Sequence, residues 1–151
     1  MAKAATFRAN VGIVVARSDG RVAWFERTDH PDSWQFPQGG INRNERPEAA
    51  ARRELAEETA LGEGQVEWVS ELDEWLPYAF PGTNPGSHLG QIQRWLLART
   101  IGDAEPDLEA AVDAEFASWR WAEPDALVDR VVYFKASVYR RVVHWVSAEL
   151  G

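Results

Sequence analysis

The chain has 151 residues, of which 45% are hydrophobic, a formal net charge of -8 and no cysteine. This length predicts a single compact domain over residues 1–151 that buries its own core. Without cysteine, disulfides and thiolate metal sites are excluded, and with only three histidines any metal is expected to take oxygen ligands. No apolar run approaches the roughly 20 residues that span a bilayer, so we expect a soluble, cytoplasmic protein. The negative charge disfavours an extended nucleic-acid surface.

The first predicted element is a β-hairpin. An apolar run over residues 11–15 is followed by Asp19 and Gly20 and then by an alternating segment, residues 21–25, which is the pattern of two strands around a tight turn. Residues 28–38 contain Asp, His, Ser and two Pro and are predicted to form a loop. The Gly39-Gly40 pair that follows allows either a close approach of another group to the backbone or a tight turn.

A helix is predicted next, over residues 47–60. Pro47 suits a first helical turn and Glu48 complements the positive end of the helix dipole, while Gly62 can supply the stop. Three further strands are predicted at residues 65–71, 91–99 and 116–121. A long loop over residues 81–90 separates the first two of these strands, and we expect it to serve recognition.

The last predicted element is a C-terminal helix. Val138, Val142, Trp145 and Val146 recur at helical spacing, which indicates one buried face. Strands interleaved with two long helices indicate an α/β layered domain.

Three glutamates are concentrated on the first predicted helix. At 100° per residue, Glu54, Glu57 and Glu58 occupy an arc of roughly 100° on one side. Like charges at this spacing repel each other, and Mg²⁺, which favours a few carboxylates together with water and phosphate oxygens, would relieve the repulsion. The alternative is an acidic surface stripe balanced by Arg52 and Arg53.

The segment QFPQGGINRNERPEAAARRELAEETAL, residues 35–61, resembles the signature of the Nudix hydrolases. Its matching positions, within residues 39–61, are Gly39, Glu45, Arg53, Glu54, Leu55, Glu57, Glu58 and Leu61. The one departure is Ala60, where the family has glycine, and this concerns only the turn that ends the helix. The resemblance implies an α/β/α sandwich with a mixed β-sheet and a catalytic loop-helix-loop.

The resemblance also implies a reaction. Water would attack a phosphorus atom of a nucleoside diphosphate linked to another group, and Glu54, Glu57 and Glu58 would hold Mg²⁺, with Mn²⁺ equally open. The metal would neutralise phosphate oxygens and can lower the pKa of a bound water. Arg53 would orient a neighbouring glutamate through a charge-assisted hydrogen bond. The catalytic set that the resemblance implies is Arg53, Glu54 and Glu57, together with Glu115 from outside the signature.

Outside the signature, the pieces FRANVGIVV, SWQFPQGGIN, WLPYAFP, GQIQRWLL, EFASWRW and VVYFKASVYRRVV resemble the branch containing bacterial RNA 5′-pyrophosphohydrolases and asymmetric diadenosine tetraphosphate hydrolases. This likeness implies that Glu115 is a further metal ligand or general base, with Asp113 in reserve. It also implies a substrate-binding set, in which Phe134 would stack on a base; Trp34 and Phe36 are expected in the core or a pocket wall. The set is Arg8, Arg27, Gly39, Phe134 and Lys135.

The substrate stays open at this stage. An RNA 5′-end is slightly favoured over a dinucleoside polyphosphate, although no basic tail follows the last helix and residues 81–90 contain no Lys or Arg. A sugar nucleotide or an oxidised nucleoside triphosphate is a third substrate class. A non-catalytic nucleotide sensor is an alternative of a different kind, since a fold by itself does not fix function. The oligomeric state is not indicated.

Overall fold

The computed structural model describes residues 6–82 and 88–151; half of the predicted recognition loop, residues 83–87, lies outside the described residues. The strands are β1 (Phe7–Ala16), β2 (Val22–Arg27), β3 (Trp34–Gln35), β4 (Gln38–Gly40), β5 (Val66–Glu71), β6 (Leu76–Ala79), β7 (Gly90–Thr100) and β8 (Phe116–Ala122). The helices are α1 (Pro47–Thr59) and α2 (Ala136–Leu150), with 3₁₀ turns at Pro124–Asp129 and Tyr133–Lys135. None of the described helices is both long enough and apolar enough to traverse a membrane.

The strands form a mixed sheet with β1 near its centre. β1 pairs in parallel with β7 from Phe7 opposite Gly90 to Ala16 opposite Arg99, and antiparallel with β4. Side chains of a strand alternate between the two faces of its sheet, so Val11, Ile13 and Val15 pack in the core beneath α1, while Val14 and Ala16 pack in the core beneath α2. The predicted α/β/α sandwich with a mixed sheet is therefore confirmed.

Both strands of the predicted hairpin are present, but they pair with each other only next to the turn. β1 and β2 are in register only at Ala16 and Val22, because farther along β1 the segment leading into β4 lies beside it and Ile13 N–H donates to Pro37 O at 2.9 Å. β2 instead pairs with β3 and β8. The prediction of a continuous loop over residues 28–38 is accordingly wrong at β3 and at the start of β4, and β6, which pairs with β7, was not predicted.

The end of α1 corrects another expectation. The helix ends at Thr59, and Ala60 adopts the left-handed conformation with φ 64° while its N–H donates to Ala56 O. The stop is therefore at Ala60 and not at Gly62. For a residue with a Cβ this conformation costs about 1–2 kcal/mol, so Ala60 bears a strain that the glycine of the family signature would avoid.

The predicted C-terminal helix is confirmed in α2. Val138, Val142, Trp145 and Val146 are all buried and belong to the core cluster on that face of the sheet. Phe36, expected in the core or a pocket wall, lies in this core with its ring stacked on that of Tyr139 at 5.3 Å. The sheet thus lies between the two helices, with one core cluster on each of its faces.

Candidate active site

Glu54 on α1 lies directly against the backbone of β4. A Cβ added at Gly39 would overlap the Glu54 carboxyl group, so only glycine permits this approach. The Glu54 side chain is 12% exposed. The close backbone approach expected at Gly39 is thus made by a glutamate of the signature helix.

Arg53 connects the glutamates of this region. Its Nε and Nη2 donate to the two carboxylate oxygens of Glu45 at 3.0 and 2.9 Å, and its Nη1 donates to Glu54 Oε1 at 2.8 Å. Nη2 also donates to Gly40 O at 2.9 Å, and Glu57 Oε2 lies 3.6 Å from Nη1. The hydrogen bonds from Arg53 lower the pKa of Glu45 to about 2. These contacts fix the guanidinium and, through it, the position of Glu54.

Glu58 is the buried member of the glutamate cluster. It is 5% exposed, and its Oε2 has no hydrogen-bond partner among the described residues. Burial, followed by the negative charges of Glu54 and Glu115, raises the pKa of Glu58 to about 10. A buried carboxylate without compensating charge is unfavourable, so the donor set here suits a cation.

Across residues 6–82 and 88–151, no three Asp, Glu, His or Cys side chains already converge as a complete metal site. Glu54 is turned toward Arg53, and Glu57 is 39% exposed. Mg²⁺ needs no closed protein cage, because it keeps several waters and takes phosphate oxygens as ligands. The orphaned oxygen of Glu58 and the adjacent carboxylates therefore fit such a cation, with side-chain rearrangement on binding.

Glu115 and Asp113 lie on the loop before β8, which crosses the end of α1. Asp113 N–H donates to Glu57 O at 3.0 Å, and Glu115 O accepts from Thr28 N–H at 3.0 Å. Both carboxylates contribute to the raised pKa of Glu58, Glu115 more than Asp113. The loop thus brings both predicted carboxylates near the glutamate cluster. Of the two, only Glu115 also lines a cavity that contains Arg8 and Lys135.

This cavity, of about 310 Å³, brings the predicted substrate residues together. Its walls include all five residues of the predicted set together with Glu115. They come from segments far apart in the chain, since Arg8 lies on β1, Arg27 at the end of β2 and Lys135 just before α2. Sequence reasoning missed six other lining residues: Asn10, Gln35, Gln38, Tyr78, Phe80 and Gln91.

Lys135 is a buried cation at the base of this cavity. It is 5% exposed, and its Nζ lies 3.4 Å from both Gln35 Oε1 and Gln38 Oε1. Among the described residues, no carboxylate forms an ion pair with it. Burial and then the charge of Arg27 lower its pKa to about 8. Neutral amide oxygens hold the ammonium group, and its charge is left for an anion.

A network of side-chain amides supports this lysine. Tyr78 OH donates to Gln91 Oε1 at 2.5 Å and accepts from Gln38 Nε2 at 3.3 Å. Gln93 Nε2 donates to Asn10 Oδ1 at 2.8 Å and to Gln38 Oε1 at 3.2 Å. The available sequence signal was the alternation of Gln91 and Gln93 on a strand, which places both on one face.

A second cavity, of about 350 Å³, adjoins the first. Arg27 and Phe134 line both cavities, whereas His30, Arg130 and Val132 line only the second. One cavity therefore offers cations and amides. Its neighbour offers the Phe134 ring and apolar side chains such as Val131 and Val132, together with charged groups that include Arg130. Together they can receive a molecule with a polyphosphate at one end and a base nearby.

The chain is similar to known proteins of one family. The family model described as NUDIX domain matches residues 6–146, and the chain belongs to the Nudix family. The expected enzyme class, a Nudix pyrophosphohydrolase, is confirmed by this match and by relatives of that class. Nudix hydrolases generally use divalent metals.

Two curated relatives are named RNA pyrophosphohydrolase. The protein of Thioalkalivibrio sulfidiphilus is 42% identical over 91% of this chain and 82% of its own length. That of Halorhodospira halophila is 41% identical over 95% of this chain and 82% of its own length. The solved dihydroneopterin triphosphate pyrophosphohydrolase of E. coli has the same fold, with a TM-score of 0.72, 17% identity and coverage of 91% of this chain and 97% of that one.

Proposed function

We propose that this Nudix hydrolase acts on 5′-triphosphorylated RNA ends and leaves a 5′-monophosphate. The observation that carries the proposal is the pair of adjoining cavities. The first is lined by Glu115 and by Arg8 and Lys135, which have no carboxylate partner among the described residues, and the second is lined by Phe134 and several apolar residues. The names of the curated relatives support the same substrate. Water would add to a phosphorus atom of the triphosphate, and pyrophosphate, or phosphate in two steps, would leave.

The two cavities divide the substrate between them in this proposal. The phosphates bind where Lys135 and Arg8 supply positive charge, and Arg8 lies over Gly40, where a Cβ would collide with its guanidinium. The terminal bases enter the second cavity beside Phe134, because an aromatic face accepts any base. Gly39 lines the phosphate cavity and leaves room for both Glu54 and the substrate.

Glu54, Glu57, Glu58 and Glu115 are the proposed ligands of Mg²⁺ or Mn²⁺. The bound cation would neutralise phosphate oxygens and make a bound water more acidic. Arg53 does not line the phosphate cavity, so its proposed part is to hold Glu54 in place. The alternative role proposed for Glu115 is that of general base. Its negative charge acts on the pKa of both Glu58 and Lys135, so it lies near both groups. Asp113 is the reserve.

The test is product analysis with two substrates at matched concentration. Purified protein and Mg²⁺ are incubated with a 5′-triphosphorylated oligoribonucleotide and, separately, with diadenosine tetraphosphate. Glu58→Gln should lower turnover by at least about 100-fold, since it removes a proposed ligand of the cation that neutralises the phosphate oxygens. Glu48→Gln is the matched control, because Glu48 is on the same helix but 56% exposed, and it should keep wild-type rates.

Faster hydrolysis of the RNA end supports the proposal. Faster formation of ATP and AMP would make diadenosine tetraphosphate the better substrate and overturn it. Binding of nucleotides with no product would indicate a non-catalytic sensor. The single domain over 1–151 and a cytoplasmic location remain predictions.

A further inference from the structure

The three cations of the phosphate cavity differ in their partners. Arg27 Nε donates to Asp29 Oδ1 at 3.0 Å and its Nη2 donates to Asp29 Oδ2 at 2.7 Å. Within residues 6–82 and 88–151, neither Arg8 nor Lys135 has a carboxylate partner. Arg27 is therefore the one cation of this cavity whose charge is already balanced by a carboxylate of the described chain.

The pairing occupies one edge of the Arg27 guanidinium. A guanidinium donates hydrogen bonds from its edge and stacks through its faces. With two edge donors committed to Asp29, the plane of the group is set by a bidentate contact. Arg27 lines both cavities and is only 22% exposed, so this plane forms part of the wall between them.

The backbone around the pair is anchored on both sides. Arg27 N–H donates to Ser33 O at 3.0 Å, and Thr28 N–H donates to Glu115 O at 3.0 Å. The Thr28 hydroxyl also donates to Ala114 O at 2.9 Å. Asp29 thus projects from a segment that is held to the loop carrying Glu115, and its carboxylate has a defined position relative to the glutamate cluster.

We propose that Asp29 is a positioning residue that fixes Arg27 as a wall of the base cavity and withholds its charge from the phosphates. Phosphate binding then depends on Arg8 and Lys135, and the base is recognised by contact with the oriented guanidinium of Arg27. The inference deepens the proposed function and rests on it for the identity of the base-bearing substrate. Asp29 itself touches neither the substrate nor the metal in this arrangement.

The chain supplies a matched control for this pair. Arg17 and Asp19 form the same contact two residues apart, with Nε to Oδ1 at 3.0 Å and Nη2 to Oδ2 at 2.7 Å. Arg17 lines neither of the two cavities. Asp19→Asn and Asp29→Asn therefore remove equivalent ion pairs, one distant from the site and one within it.

The experiment measures binding by titration calorimetry in EDTA, so that no turnover is needed. The probes are inorganic tripolyphosphate, a 5′-triphosphorylated trinucleotide, and the same trinucleotide with its 5′-terminal bases removed. Asp29→Asn should weaken binding of the complete trinucleotide roughly fivefold, as expected for a lost exposed ion pair. It should tighten both tripolyphosphate and the abasic trinucleotide, because the charge of Arg27 is released to the phosphates that both probes carry.

Asp19→Asn should leave all three affinities unchanged. Asp29→Glu, which keeps the charge, should restore wild-type tripolyphosphate affinity. Equal weakening of all three probes, or no difference from Asp19→Asn, would overturn the inference. Because binding is measured without hydrolysis, a protein that fails to cleave RNA can still display the Asp29 effect, and the two proposals fail separately.

Discussion

The two sides of the phosphate cavity carry opposite charges, and each side lacks groups of the opposite charge to balance its own. The acidic wall is defined as Glu115, which lines the cavity, together with Glu54, Glu57 and Glu58 of the glutamate cluster. It contains a buried carboxyl whose pKa is raised to about 10. The basic wall, Arg8, Arg27 and Lys135, contains a buried ammonium group whose pKa is lowered to about 8. Each wall is thus driven toward neutrality by burial and by its own like charges. A polyphosphate with a bound cation would supply the missing charge to both.

The walls are also built differently. Three of the four acidic residues come from α1, and Arg53 on the same helix holds Glu54 in place. The basic wall is assembled from β1, the end of β2 and the turn before α2, and amides from other strands support it. We therefore expect small local changes in packing to impair the function of the acidic wall. We expect phosphate binding by the basic wall to depend mainly on the charges of its side chains.

The largest expected effect breaks the acidic wall without altering its charge. Gly39→Ala places a methyl group where the Glu54 carboxyl lies, so Glu54 must move. We expect kcat/KM to fall by at least about 100-fold, as when a catalytic group is misplaced by an ångström. Gly62→Ala is the control, since the nearest atom to its new Cβ is 3.9 Å away, and it should stay within twofold of wild type. Unchanged kinetics in Gly39→Ala would show that the position of Glu54 does not matter.

An intermediate effect tests the charge of the basic wall. With a pKa of about 8, Lys135 loses its proton as pH rises from 7 to 9, and KM for the triphosphate should rise several-fold. A flat KM profile in wild type would remove Lys135 from phosphate binding.

The same shift has a consequence for stability. The unfolded chain, with a lysine pKa of 10.5, binds more protons than the folded chain, with a pKa of about 8, between these two values. The free energy of unfolding therefore rises with pH in that window. The destabilisation caused by burying the charged Lys135 is fully present below about pH 8 and is lost as the pH rises. Lys135→Met should unfold at a higher temperature than wild type at pH 7, with the difference shrinking by pH 10. A pH-independent difference would contradict the lowered pKa.

The smallest expected effect concerns the end of the helix that carries the acidic wall. Ala60→Gly removes the strain of φ 64° and should raise the free energy of unfolding by about 0.5–1 kcal/mol, after the greater entropy loss of glycine. Ala56→Gly, in the interior of α1, should instead lower it by about 1 kcal/mol. Chemical denaturation of both variants gives the comparison, and equal signs would mean that Ala60 is unstrained.

Much of the fold follows from local patterns. The apolar run of β1, the alternating segment of β2 and the helical spacing of Val138, Val142 and Val146 each indicated the element that formed. The errors fall where partners distant in the chain decide. β3 is a strand because Phe25 and Glu26 offer it an edge, and β6 forms against β7, which no local pattern could indicate.

The sequence by itself determined the family and the glutamate cluster, because three glutamates on one helix need only helical geometry to share a face. It also indicated Arg8, Arg27 and Lys135 through likeness to relatives. Only the tertiary structure decided that these cations meet in one cavity, that Glu58 is buried without a partner and that Asp29 pairs with Arg27. Burial and pairing depend on which distant segments pack together, and the pKa of a group follows from that packing.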